Sequence, residues 1–204
     1  MAKQHNDSSH EASDARNSLL KAGANLFAAQ GYSATGVQQI TDAAGVNKAT
    51  LYYYFKSKEG LYNFLIDEGV RLVERAVTAS EDPNSNIEER IKLFLGTFLT
   101  VASENPELAK IIFREAFGEC DNAQLTVAEH IKDNVRRLAA VLAEAQAKGD
   151  LRAGPDPVYW AYSIFGIANM FISRLVVNSQ ELDVEPLVDH ILSLFMQGAE
   201  PTGI

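Results

Sequence analysis

Three consecutive tyrosines and three lysines fall within the eighteen residues GVNKATLYYYFKSKEGLY, from Gly45 to Tyr62. Lysine ammonium groups, tyrosine hydroxyls and the free amides at a helix start all donate hydrogen bonds to phosphate oxygens, and tyrosine rings pack on thymine methyl groups. The chemistry that this stretch could do is therefore the binding of double-stranded DNA. Taken alone, the same residue types also fit core packing and a solvated loop.

Other groupings of polar residues are weaker candidates for chemistry. Glu129, His130 and Asp133 resemble a fragment of a metal site, but two carboxylates around one histidine are common on a charged helix face. The sequence contains no phosphate-cradling glycine loop, no nucleophile elbow and no cysteine cluster. We therefore expect no enzymatic activity, no cofactor and no metal.

The charge is divided unevenly along the chain, whose formal net charge is -9. Residues 1–60 carry six basic and five acidic groups, which gives +1, and the other 144 residues carry 12 basic and 22 acidic groups, which gives -10. Phosphate repels the acidic part, so DNA contact should be confined to the first part and should depend on salt. The single Cys120 and an amino terminus without an apolar run lead us to expect a cytoplasmic protein.

The elements that must position the DNA-binding stretch are helices. Apolar residues keep helical spacing almost throughout, and no segment alternates long enough to predict a strand, so we predict an all-α protein of about nine helices. Gly31 is expected to end the first helix in a left-handed conformation, Gly45 to form a tight turn, and Ser57 to cap the fourth helix. Ser85 and Glu88 fit a capping box for the fifth helix.

Two short helices joined at a glycine turn, with a bracing helix before them, are typical of a helix-turn-helix DNA-binding unit. We predict a disordered tail over residues 1–13, this unit over residues 14–60, and a larger helical ligand-binding and dimerisation domain over residues 61–204. At about 100° per residue, Leu51, Tyr54 and Phe55 should face the core of the unit. Tyr53 should then face the DNA groove, and Tyr52 should lie at the edge of the groove near phosphate.

A nearly apolar segment, VYWAYSIFGIANMFISRLVV, runs from Val158 to Val177 and is about as long as a membrane span. A helix that is apolar on every side either crosses a bilayer or lies between its own core and a partner chain. Polar residues interrupt the run and no basic cluster flanks it, so we favour a homodimer and no membrane. The predicted interface consists of Phe171, Leu175, Leu187, Ile191, Leu194 and Phe195.

The larger domain offers aromatic residues for a ligand pocket, although aromatic residues at helical spacing are usually ordinary core. The candidates are Phe94, Phe98, Phe113, Phe117, Trp160 and Phe165. Glu115 and Glu119 could form an acidic patch for a cationic lipophilic ligand, but we expect both to face solvent.

The sequence LLKAGANLFAAQGYSATGVQQITDAAGVNKATLYYYFKSKEGLY, residues 19–62, closely resembles the DNA-binding head of the TetR family of bacterial transcriptional regulators. The shared motifs are LFAAQGY, T-x-V-x-x-I, AGV-x-K-x-T-L-Y-x-Y-F and SKE; beyond residue 65 only the layout is similar. The resemblance implies an all-helical homodimer that binds operator DNA through Thr35, Val37, Asn47, Lys48, Ala49, Thr50, Tyr52, Tyr53 and Lys58. The amides at the start of the second helix add Gly36 to the expected DNA contacts.

Three positions depart from the family pattern: Gly36, where a hydroxyl cap is frequent, Thr41, where alanine is usual, and Ala49, which replaces a frequent glycine. Most relatives are repressors that leave the operator when a small molecule binds the larger domain. We therefore expect a ligand-responsive repressor with a lipophilic effector. The alternatives are an activator, a regulator controlled by a protein partner and, more remotely, a helical enzyme or membrane-associated protein.

Overall fold

A computed structural model of the chain describes residues 7–117, 124–178 and 180–199, and all the regular structure in these ranges is helical. This confirms the predicted all-α class. The nine helices of the described ranges are α1 (Asp7–Ala34), α2 (Val37–Ala44), α3 (Lys48–Phe55), α4 (Lys58–Ala79), α5 (Ile87–Glu104), α6 (Pro106–Phe117), α7 (Gln124–Lys148), α8 (Pro157–Asn178) and α9 (Val184–Ala199).

The chain divides into two compact units, Met1–Glu68 and Gly69–Ile204, which we call the head and the body. Helix α4 runs through the division, which lies a few residues beyond the predicted position after residue 60.

The head is built on a small apolar core to which α1, α2, α3 and the first turns of α4 all contribute. Leu19, Ile40, Leu51 and Leu61 have no exposed surface, and the Phe27 ring meets the Tyr62 ring edge-on at 4.9 Å between centroids. The two short helices bury few apolar residues, Ile40 on α2 and Leu51 and Phe55 on α3, so they hold their positions through shared packing rather than through their own stability.

Helix α1 differs from its prediction at both ends. It begins at Asp7 and so includes residues 7–13 of the predicted disordered tail, because nothing before Gly23 is a proline or a glycine that would stop a helix. Residues 1–6 of the tail lie outside the described residues. Gly31 has a φ of 84° and a ψ of 171°, and the chain resumes a helical course to Ala34, so Gly31 makes a kink rather than an end.

The body has a larger core, formed where α5, α7, α8 and α9 pack together. Three rings lie at its centre: Phe94 stacks on Phe98 with centroids 5.6 Å apart, and Phe165 meets both rings edge-on, at 4.8 and 5.6 Å. Such edge-on and offset pairs add to the stabilisation from burial alone.

Polar bonds fasten the connection between α4 and α5 to α7. The buried Arg90 donates from Nε to the Ser80 carbonyl at 2.7 Å and from Nη1 to Glu144 at 3.1 Å. Arg137 forms two bonds of 2.8 Å with Glu81. These paired bonds lower the pKa of the Glu81 carboxyl from its ordinary value, the hydrogen bonds from Arg137 being the main cause.

The capping box of α5 lies one residue later than predicted. Asn86, not Ser85, is the N-cap: its side chain accepts from the Glu89 amide at 2.9 Å, and the Glu89 carboxylate accepts from the Asn86 amide at 3.1 Å. Ser85 instead donates its hydroxyl to Asp82. Asparagine and serine cap about equally well, so the sequence pattern could not separate the two registers.

Candidate DNA-binding surface and ligand cavity

Helix α3 presents different faces to the core and to solvent. Leu51 and Phe55 are buried, whereas Tyr53 is 72% exposed and Tyr52 is 48% exposed. The predicted helix phasing is confirmed for these four residues. Tyr54 is half-buried, and its ring meets the Tyr53 ring edge-on at 4.9 Å, which limits the orientations open to Tyr53. Helix α3 therefore carries two exposed aromatic rings on its outer side, and Tyr53 is the more exposed of them.

The start of α3 is capped by Asn47, whose side-chain oxygen accepts from the Thr50 amide at 2.9 Å and from the Thr50 hydroxyl at 3.1 Å. Because this oxygen is occupied, Asn47 can offer DNA only the donors of its side-chain amide. Lys48 and Ala49 are exposed beside it. The start of α3 thus combines a lysine ammonium with helix-terminal amides, an arrangement that favours an anion.

The start of α2 is held by a network that the sequence did not reveal. Gly36 is the N-cap in an extended conformation, and the Gln39 side chain accepts from its amide at 2.8 Å. Thr35 is buried, with its hydroxyl donating to the Gly31 carbonyl at 2.7 Å and accepting from Gln30 at 3.2 Å. The Thr35 hydroxyl is therefore committed to the head, which leaves Gly36 and Val37 as the residues at the accessible start of α2.

The ammonium of Lys58 is also committed within the head. Its Nζ donates to the carbonyls of Tyr32 and Thr35, both at 2.9 Å, and lies 4.0 Å from the centroid of the Tyr32 ring. Burial raises the pKa of the Tyr32 hydroxyl, and the charge of Glu59 raises it further, so this ring stays neutral at physiological pH. Lys58 thus ties the start of α4 to the segment between α1 and α2. The prediction assigned Lys58 only a contact with the DNA backbone and did not anticipate this role within the head.

Thr41, one of the departures from the family pattern, is buried in the second half of α2, four residues before the turn at Gly45. Its hydroxyl donates to the carbonyls of Val37 and Gln38 in its own helix, both at 3.1 Å. Gly45 then turns the chain with a φ of 68° and a ψ of 28°, the left-handed conformation that glycine adopts without strain. The predicted tight turn between α2 and α3 is confirmed.

The body contains a cavity of about 540 Å³, walled by parts of α4, α5, α6, α7 and α8. Its volume is typical of sites for small organic ligands. Most of the wall is aliphatic or aromatic, and none of the described residues that line it is charged at neutral pH. The cavity therefore suits an uncharged and mainly apolar ligand group, because a charge inside it would have no partner.

Four of the six aromatic residues predicted for the pocket line this cavity: Phe98, Phe113, Phe117 and Phe165. The other two do not. Phe94 is fully buried behind Phe98 and Phe165, and Trp160 packs edge-on against Phe195 at 5.4 Å. Residue type and helical spacing selected all six, but the depth at which each ring lies depends on packing between helices: Phe94 is fully buried, whereas Phe117 is 64% exposed. Direct contact of the four lining rings with a ligand stays a prediction.

Two polar residues of the body are more deeply buried than their sequence context suggests. Glu115 on α6 is 2% exposed, so the expectation that it faces solvent was wrong; it lies on the same side of α6 as the buried Ile111. Glu119 lies outside the described residues. Asn134 on α7 is also 2% exposed and lines the cavity, and its Oδ1 has no hydrogen-bond partner among the described residues.

Helix α8 is long and apolar enough to cross a membrane, by length and composition only. One side is buried in the body core through residues such as Ala161, Ile164 and Ala168. The other side is exposed and still carries large apolar residues, namely Val158, Tyr159, Tyr162, Met170 and Val177. A core helix of a soluble protein passes the same test. The exposed apolar stripe on one face matches the arrangement expected where a partner chain covers it.

The residues predicted for the dimer interface differ in exposure. Leu194 on α9 is half-exposed, whereas Ile191 has no exposed surface in the single chain and therefore belongs to the body core. Phe171, Leu175, Leu187 and Phe195 are half-buried. The large exposed apolar residues of α8 were not in the predicted set. Part of the chain's outer apolar surface was thus missed, because α8 is apolar on both sides and its sequence does not mark which side faces outward.

The described residues contain no group of three or more histidine, cysteine, aspartate or glutamate side chains placed to hold a metal ion. His130, from the fragment considered in the sequence, lies with its Nδ1 3.3 Å from Glu74.

A helix-turn-helix head and a helical body with an apolar cavity define a class, the ligand-responsive DNA-binding regulators. Residues 19–64 match the family model described as bacterial regulatory proteins, tetR family, and residues 67–198 match that of YsiA-like protein, C-terminal region. The chain belongs to the TetR family. The second match covers the body, where the sequence alone showed no shared motif and only a similar layout of helices.

Among curated relatives, the chain is 24% identical to the fatty acid metabolism regulator protein of Bacillus subtilis, over 88% of this chain and 93% of the relative. It is 26% identical to the probable acrEF/envCD operon repressor of Escherichia coli K12, over 91% and 89%. The predicted function, a ligand-responsive DNA-binding transcriptional repressor that works as a dimer, is confirmed at the level of the family.

Solved structures support the same fold. A putative fatty acid metabolism regulator of Clostridium perfringens is 27% identical, with a TM-score of 0.78 over 89% of this chain and 97% of that one. The regulator FadR of Bacillus subtilis in complex with stearoyl-CoA is 23% identical, with a TM-score of 0.74 over 90% and 98%; this likeness concerns the fold alone.

Proposed function

We propose that the chain is a repressor whose two heads bind a palindromic operator and release it when a fatty acyl group enters the body cavity. The observation that carries this proposal is the cavity itself, about 540 Å³ in volume and walled by mainly apolar residues. In this proposal residues 14–60 form the DNA-binding domain and residues 61–204 the ligand-binding and dimerisation domain, and the protein acts in the cytoplasm, where operator DNA is found.

The proposed DNA surface consists of the two helix starts and the outer side of α3. Tyr53 would read a base edge or a thymine methyl, since its ring is the most exposed aromatic of α3. Lys48 and the amides at the start of α3 would bind phosphate. The other proposed contacts are Gly36, Val37, Asn47, Ala49, Thr50 and Tyr52. Thr35 and Lys58, the remaining predicted residues, would act mainly by holding the start of α2 in place, with at most a further bond from Lys58 to the DNA backbone.

The proposed dimer face joins the exposed apolar stripe of α8 to the exposed part of α9. Val158, Tyr159 and Val177 on α8 and Leu194 on α9 would be covered by the same face of a second copy, as twofold symmetry requires. The half-buried residues of the predicted interface, such as Phe171 and Leu175, would support this face from beside it.

The proposed effector is a fatty acyl derivative rather than a free fatty acid. Relatives are named as regulators of fatty acid metabolism, and one structure of the same fold holds stearoyl-CoA. A carboxylate inside this cavity would have no cationic partner among the described lining residues, whereas an ester or thioester is neutral. Charged parts of such a molecule would have to remain outside the cavity.

The mechanism needs no covalent step. The protein would exist in two states, one with the heads placed to bind DNA and one with the heads misplaced. A ligand that binds more tightly to the second state shifts the population toward it, and the size of the shift is set by the difference in binding free energy between the two states. A ligand with equal affinity for both states would release nothing.

The experiment is to fill the cavity. Ala116→Phe adds a ring to the cavity wall, and Ala140→Phe adds the same ring to an exposed position of α7 outside it. We expect hexadecanoyl-CoA to raise the melting temperature of the native protein and of the Ala140→Phe control, and to have little effect on Ala116→Phe. Equal stabilisation of both variants would place the ligand elsewhere.

A further inference from the structure

Asn134 is the one described lining residue of the cavity whose buried side-chain oxygen has no hydrogen-bond partner in the described part of the chain. It is 2% exposed, so bulk solvent does not hydrate it. Buried polar atoms in proteins are nearly always hydrogen-bonded, and one that is not is strongly unfavourable. An unbonded amide oxygen at the wall of a ligand cavity therefore points to a bond that a ligand completes.

Asn105, Asn169 and Ser173 also line the cavity, and each of them donates a hydrogen bond to a backbone carbonyl nearby in the chain. Asn105 donates from Nδ2 to the Val101 carbonyl at 2.9 Å, and Asn169 donates to the Phe165 carbonyl at 2.8 Å. Ser173 donates its hydroxyl to the Met170 carbonyl at 2.6 Å. Among the described lining residues, only Asn134 has a side-chain oxygen that is both buried and without a partner, and this distinguishes it from the other three.

We propose that Asn134 recognises a hydroxyl group carried on the apolar part of the effector, so that the cavity selects hydroxylated acyl chains over unsubstituted ones. This inference rests on the proposed function, since it takes the cavity to be the effector site. A hydroxyl suits the site because it is neutral and can both donate to the oxygen and accept from the nitrogen of an amide. The bond would form in a water-excluding surrounding, where it discriminates most strongly.

The discrimination follows from what each ligand leaves unbonded. An unsubstituted chain fills the same volume but buries the Asn134 amide without a partner, whereas a correctly placed hydroxyl satisfies it. One net hydrogen bond of this kind corresponds to about a 10-fold difference in affinity. The position of the hydroxyl along the chain should matter, because Asn134 lies at one fixed point of the wall.

The test loads the full-length protein with the neutral dye N-phenyl-1-naphthylamine and follows the loss of dye fluorescence as an ester displaces it. The esters are methyl dodecanoate and a set of its hydroxylated derivatives, isomers that carry one hydroxyl at different carbons. We expect at least one hydroxylated isomer to displace the dye at about one-tenth the concentration that the unsubstituted ester needs. In Asn134→Leu, which keeps a similar shape, this preference should vanish while the unsubstituted ester binds as well or better. Asn63→Leu, at an exposed position of α4 outside the cavity, is the matched control and should keep the preference.

Two outcomes would overturn the assignment: no hydroxylated isomer binds better than methyl dodecanoate to the native protein, or the preference persists in Asn134→Leu. If that variant does not fold, Asn134→Ala and the isomer series on the native protein decide the same question. Failure of every ester to displace the dye would instead overturn the proposed function. The two failures are therefore distinguishable.

Discussion

Replacing Lys58 by methionine removes an ammonium that holds three parts of the head together while it keeps an aliphatic stem of similar length. The lost contacts are two hydrogen bonds of 2.9 Å, to the carbonyls of Tyr32 and Thr35, and the contact with the Tyr32 ring at 4.0 Å. Each bond is worth about 1 kcal/mol at a half-buried position, and the ring contact adds about 0.5 to 1 kcal/mol. We therefore expect the head to lose about 2 to 3 kcal/mol of stability.

Hydrogen exchange measures this loss within the head and leaves the body as an internal reference. A loss of about 2 kcal/mol accelerates exchange of the protected amides of α2 and the end of α1 about 30-fold. Lys48→Met is the matched control: it also removes one positive charge, but Lys48 is exposed. Lys48→Met should leave exchange unchanged and should lower the salt dependence of DNA binding by about one phosphate contact.

The reasoning fails if the two variants behave alike. Unchanged exchange in Lys58→Met, together with a weaker salt dependence of DNA binding, would show that Lys58 is a clamp on the DNA backbone and that its bonds within the head contribute nothing.

Three further predictions concern the backbone, the charges and the dimer. Gly31→Ala should lower the stability of the head by about 1 to 3 kcal/mol in thermal unfolding, because a φ of 84° with a ψ of 171° is almost restricted to glycine. The control Gly96→Ala, in open space on α5, should stabilise the protein slightly. Hydrogen bonds from Lys148, and to a smaller extent from Arg90, lower the pKa of the Glu144 carboxyl. The stability that Glu144 contributes is therefore complete above its ordinary pKa of 4.5 and is lost as the pH falls through the lowered pKa. Glu144→Gln should make stability depend less on pH in this range of an acid-unfolding curve. Val177→Arg should shift the protein from dimer toward monomer in sedimentation, and an unchanged dimer would exclude the α8 face as the interface.

The sequence predicted the helices and the phasing of α3 because both follow from local periodicity. Leu51 and Phe55 are four positions apart on an eight-residue helix, so burying one side fixes which tyrosine faces outward. The turn at Gly45 follows from a local rule about left-handed backbone in the same way.

The roles of Lys58, Glu115 and Asn134 could not be predicted, because each depends on contacts between distant segments. The Lys58 ammonium bonds to a carbonyl 26 residues earlier in the chain, a partner that no spacing rule identifies. Glu115 and Asn134 are polar residues that helix packing buries, and residue type alone favours solvent for both. The family pattern marked Lys58 as important but assigned it to DNA rather than to the head.

The central claim is that an acyl group in the body cavity weakens binding of the heads to DNA. Its most direct test is the dissociation constant for a palindrome selected from random DNA, measured by fluorescence anisotropy at fixed salt, with and without saturating hexadecanoyl-CoA. We predict that the acyl-CoA weakens binding at least 10-fold in the native protein and has little effect on Ala116→Phe. An unchanged dissociation constant in the native protein, with hexadecanoyl-CoA demonstrably bound, would contradict the claim.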